Sequence, residues 1–128
     1  MIVSKENETV QGIVKITDEV VAMHAAEAAL RTQGVSSLYG GFAESIAKNF
    51  RGRDSLSKGV KLSRGEEGIS VDIYVIVKYD AKIPTVAWEL QRNIKNNLEE
   101  KTGEKVKEVN IHVQGVAFPN EEEKNDQK

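Results

Sequence analysis

The sequence predicts an α+β domain in two layers, one mixed β-sheet with two main amphipathic helices on one face. Three observations predict it. Between Gly68 and Lys78, Ile69, Val71, Ile73, Val75 and Val77 occupy every second position, which is the period of a strand. After Ile83-Pro84 the spacing changes, and Val86, Leu90, Ile94 and Leu98 recur every four residues, one stripe of a helix. An earlier segment, Asp18 to Thr32, follows a capping signal and is rich in small apolar residues. The element order read from the chain is strand, helix, strand, strand, strand, helix, strand, with a short extra helix after the second strand.

Thr9 to Ile16 alternates, with Val10, Val14 and Ile16 on one face, and reads as the first strand. Thr17 offers an N-cap oxygen, and Asp18 and Glu19 follow in the first turn, where the helix dipole favours negative charge. Ile16 and Val21 stand at the two staple positions that fix the angle of entry. Ala22, Ala25, Ala26, Ala28 and Ala29 allow this first helix to pack closely, and Gly34 is placed to stop it. Val35 to Tyr39 is a short strand stopped by Gly40-Gly41. Phe42, Ile46 and Phe50 are spaced for a short amphipathic helix, and Arg51 to Lys58 is polar loop.

Val60 to Arg64 is a strand that Gly65-Glu66-Glu67-Gly68 turns into the long one. Pro84 suits the first position of the second main helix, because its missing N–H would have no intrahelical partner there. Gly103 stops that helix, and Val106 to Phe118 is the last strand. Residues 1–8 read as a flexible N-terminus, 9–118 as a single domain, and 119–128 as a disordered polar tail.

Composition narrows the function. The 128 residues suit one domain with one core. A net charge of −2 disfavours a dedicated nucleic-acid binder. There are no cysteines, so disulfides and thiolate metal sites are excluded, as befits a reducing compartment. The opening MIVSKENET has no basic start followed by an apolar run, and no stretch approaches the roughly 20 apolar residues of a transmembrane helix. A soluble cytoplasmic protein is the expectation.

Catalytic and metal chemistry find little support in the letters. His24 and His112 are the two histidines, and neither has a carboxylate at a ligand spacing. No Gly-x-Ser-x-Gly and no phosphate-binding glycine loop is present. Gly65-Glu66-Glu67-Gly68 has the letters of a KH loop, but it is acidic and joins two strands. No enzyme, metal or cofactor is expected.

Two surfaces remain as candidates. Lys48, Arg51, Arg53, Lys58, Lys61 and Arg64, against Asp54 alone, put a net +5 into one segment. That segment reads either as a solvated loop or as a docking patch for an anionic surface. The second candidate is the sheet face away from the helices, which should carry Asp72, Tyr74, Ile76, Lys78, Asn110, His112 and Gln114.

Several blocks resemble the bacterial alkaline-shock, or envelope-stress-response, family. They are Gly12 to Ala22, Lys58-Gly59-Val60, Asp72 to Val77, Lys82 to Ala87 with Gln91, and Val109 to Val116, in the family's order. The chain departs from the pattern at Asp80, where glycine is expected, and at Met23-His24, where a more aliphatic pair is usual. The resemblance implies a small cytoplasmic protein with no catalytic residues to carry over. It further implies self-association as a homo-oligomer and docking to a protein partner at the inner face of the membrane. An alternative is a regulator tied to fatty-acid metabolism that binds an acyl or anionic metabolite. RNA binding is a third reading.

Overall fold

The computed structural model describes residues 10–40 and 59–119. Helix α1 spans Asp18–Leu30, strand β1 Val35–Leu38, β2 Val60–Gly65, β3 Gly68–Lys78, helix α2 Ile83–Thr102 and β4 Val106–Ala117. The sheet is mixed: β1 and β2 pair with β3 antiparallel, and β4 pairs with it parallel. The expected extra helix over Phe42 to Phe50 lies outside the described residues, as do residues 1–9 and 120–128.

Strand β3 is the centre. Its odd-numbered side chains, Ile69 to Val77, are all buried and face the helices. Along one edge β4 follows it from Ile69↔Val106 to Lys78↔Ala117. Along the other edge β1 and β2 lie end to end, β1 opposite Val75 to Val77 and β2 opposite Gly68 to Ile73. Tyr74 joins them: its carbonyl accepts from Tyr39 N–H at 2.8 Å, and its N–H donates to Gly59 O at 2.8 Å. The two short strands are therefore one edge strand, interrupted between Gly40 and Gly59.

Helix α2 covers β3 with Val86, Leu90, Ile94 and Leu98, all buried. Pro84 lies in its first turn, and Gly103 ends it at φ 77°, a left-handed geometry that favours glycine. Helix α1 begins as its capping residues imply, with Thr17 Oγ1 accepting from Val20 N–H at 3.3 Å. Its alanines pack against α2, and two polar ties fix that contact. Asn93 Nδ2 donates to Thr32 Oγ1 at 3.0 Å, and Asn97 Nδ2 donates to His24 O at 3.0 Å.

One expected element is absent. Residues 10–17 form no strand, and Val10, Ile13 and Val14 are exposed. Both edges of β3 are taken, by β4 and by β1 with β2, and the segment pairs with the outer edge of neither. Ile16 alone of its apolar residues packs against the core.

Candidate functional site

Both helices lie on one face of the sheet, and the even-numbered residues of β3 point to the other. Parallel pairing brings Asn110 beside Asp72 and His112 beside Tyr74, while antiparallel pairing brings Lys61 beside Asp72 on the other side. Residues directly paired across strands share a face, so Lys61, Asp72, Tyr74, Asn110 and His112 form one polar and aromatic array.

Its contacts are specific. The rings of Tyr74 and His112 stack with centroids 4.3 Å apart and planes 12° apart. His112 Nε2 lies 3.0 Å from Asp72 Oδ1. A carboxylate accepts but does not donate, so this contact places a proton on Nε2. Lys61 Nζ stands 5.6 Å from the Tyr74 ring centroid, within cation–π range. Each group is thus held by a neighbour on another strand. All three of Asp72, Tyr74 and His112 are half-buried, so each keeps part of its surface for a partner.

The remaining expected face residues are arranged less simply. Between Val75↔Val113 and Ile76↔Gly115 the register shifts by one, and Gln114 is the extra residue of that bulge. It is exposed and out of register with the array. The bulge seats Gly115 under Ile76, whose Cδ1 would lie 3.1 Å from a Cβ there. Lys78 pairs with Ala117 at the far end of the same face and is exposed.

The two described members of the basic segment separate. Lys61 belongs to the open face, whereas Arg64 lies on the helix side with Val60 and Leu62. There Arg64 bridges Asp18 at 2.7 Å and Glu104 at 2.6 Å. Those bonds, Asp18 first, hold its guanidinium above the ordinary arginine pKa. Arg64 fastens the start of α1 to the connection between α2 and β4. Lys48, Arg51, Arg53 and Lys58 lie outside the described residues. Sequence reasoning missed the role of Arg64 because its two partners are remote in the chain.

Among the described residues no cluster of three or more His, Asp or Glu side chains could hold a metal ion, and no helix is long and apolar enough to cross a membrane. His112 is bound to a carboxylate and stacked on a phenol, an arrangement suited to holding a surface shape. What the array offers is flat aromatic surface, a carboxylate and a cation at fixed spacing, the chemistry of recognition.

The fold and site thus define a small two-layer α+β protein with one helix-covered sheet face and one face that is uncovered among the described residues. The chain belongs to the family of alkaline shock protein 23, described as having a cell envelope-related function, whose pattern matches residues 6–118. It is 36% identical over 111 residues to the protein YqhY of Bacillus subtilis, covering 87% of this chain and 82% of that one. It is 34% identical over 123 residues to YloU of the same organism, covering 91% and 98%. It is also 22% identical over 104 residues to a protein of Streptococcus pyogenes named stress response regulator gls24 homolog, covering 81% of this chain and 58% of that one.

Proposed function

We propose that the protein is a non-enzymatic interaction module of the cell-envelope stress response, acting by self-association and by docking to a membrane-associated protein at the cytoplasmic face. The observation that carries this is the open sheet face, where half-buried Asp72, Tyr74 and His112 are fixed by one another and exposed Lys61 stands over the Tyr74 ring. Aromatic groups held rigid lose little entropy on binding and are over-represented at interface centres. The envelope-related description of the family supports the choice of partner.

Lys61 adds positive charge at the β2 side of the face, in the segment whose other cations are Lys48, Arg51, Arg53, Lys58 and Arg64. An acidic surface on the partner, or anionic lipid beside it, would complement that side. Such attraction is screened beyond about 8 Å at physiological salt, so it assists a contact made by the face and does not replace it.

The test is capture from solubilised membranes with the wild type and with a Tyr74→Ala/Lys61→Ala double variant. A membrane protein retained by the wild type and lost by the variant is expected. Equal retention by both would place docking elsewhere on the molecule. Native mass spectrometry on the same samples reads the alternatives, since a retained acyl or anionic metabolite would favour the metabolic reading.

A further inference from the structure

Strand β4 has β3 along one side and, among the described residues, no strand along the other. That twelve-residue edge is a template for another strand, with two of its groups already taken by α2 side chains: Glu99 accepts from Val106 N–H and Gln91 donates to the Val109 carbonyl. Its two register shifts leave Glu108 to Val113 as an unbroken stretch. Toward its C-terminal end the helix cover also stops, and Val113 and Val116 are 37% and 40% exposed on the helix side. The flank of α2 nearest to them is marked by Gln91, whose amide donates to Val109 O at 3.2 Å. One step further out on that helix stands Trp88, 54% exposed.

The segment Val10 to Ile16 is the complementary half. It has the alternation of a strand but no ladder partner among the described residues, and Val10, Ile13 and Val14 are 69%, 79% and 88% exposed. It is close to Glu108 to Val113 in length. On an added strand, Val10 and Val14 would share a face and extend the apolar side beneath α2, while Ile16 stays packed on its own core. Gln11, Ile13 and Lys15 would extend the open side.

We infer that the Val10–Ile16 arm of one chain adds as a strand to the free β4 edge of a second copy, reciprocally, to form a dimer. This rests on the self-association in the proposed function and names the elements that carry it. The contact is small: the arm and the Glu108–Val113 stretch together give about 13 residues a side, below the roughly 20–30 of a standard interface, so main-chain bonds must carry most of it. The β1–β2 edge is the poorer template, because it is broken between Gly40 and Gly59 and its β2 half ends in Ser63-Arg64-Gly65. Main-chain bonds would supply affinity, and the alternating side chains the register.

Two experiments test it. Light scattering should show the wild type as a dimer and Val14→Pro as a monomer, with the circular dichroism of a folded chain. Val14 is solvent-exposed, so the proline removes a ladder donor without touching the core. A V14P dimer would overturn the arm while leaving self-association in place. A wild type that is monomeric throughout would overturn both. Because the chain has no native cysteine, a chain carrying V14C can be mixed with one carrying V113C under mild oxidation. A heterodimer is expected there and not with S63C on the opposite edge. Crosslinking to S63C instead, or an intramolecular bond in a monomeric chain carrying both V14C and V113C, would overturn the proposal.

Discussion

The rings of Tyr74 and His112 lie parallel across the β3–β4 pair, 4.3 Å apart, with Asp72 bonded to the far side of the imidazole. That stack ties the most polar part of the open face to the backbone position where β1 and β2 meet. If the stack is a true coupling, a double-mutant cycle of Tyr74→Ala and His112→Ala should return about 0.2–1 kcal/mol, the range of cross-strand pairs. Additive single effects, read from urea midpoints, would show that the two rings are neighbours without interaction.

The core sets a second expectation. Leu90 is fully buried between α2 and the sheet. Leu90→Ala should lower stability by about 2–5 kcal/mol, from lost transfer energy plus the cavity. Gln91→Ala loses one hydrogen bond to Val109 O and should cost only about 0.5–1.5 kcal/mol. Equal denaturation midpoints would contradict the position of α2.

Much of this frame was legible in the chain, and the failures are instructive. The alternation of Ile69 to Val77 and the four-residue spacing of Val86 to Leu98 specify which side is buried, because burial is a property of each element alone. Pairing is not. Thr9 to Ile16 alternates like a strand, yet its described part pairs with nothing among the described residues, and periodicity cannot say which edge a strand will join. Nor do the letters reveal that Val35–Leu38 and Val60–Gly65 share one edge through the two backbone bonds of Tyr74. The open-face residues Asp72, Tyr74, Asn110 and His112 were readable from parity, but the bulge that displaces Gln114 was not. Arg64 looked like a patch cation until strand parity turned it toward Asp18 and Glu104.

Gly34 tests the turn between α1 and β1. Its φ is +96°, and a Cβ there would lie 2.5 Å from Val86 Cγ2. Gly34→Ala should cost at least about 1–2 kcal/mol from backbone geometry, with overpacking against α2 in addition. Gly65→Ala, where the nearest atom would be 3.9 Å away, should stay within about 0.5 kcal/mol. Thermal unfolding of the two variants compares them directly.

Glu99 gives the pH dependence. Val106 N–H donates to its carboxylate at 2.9 Å and Lys95 at 3.0 Å, and these bonds, the backbone one first, hold its pKa below the ordinary glutamate value. A depressed carboxylate adds stability that is complete above the unfolded pKa and is lost as pH falls through the folded one. Glu99→Gln should therefore flatten the acid side of the stability curve and leave its pH-dependence near neutrality unchanged. An unaltered acid slope in denaturant titrations would remove Glu99 from the acid response.

The central claim is that the open sheet face meets a partner at the envelope. A photocrosslinking residue placed in the living cell at position 110, beside Asp72 on the open face, measures this most directly, with position 95 on the exposed side of α2 as its counterpart. The account predicts a discrete adduct with a membrane-associated protein from position 110 and none from position 95. Adducts from position 95 alone, or none from position 110 while the protein is abundant and folded, would contradict it.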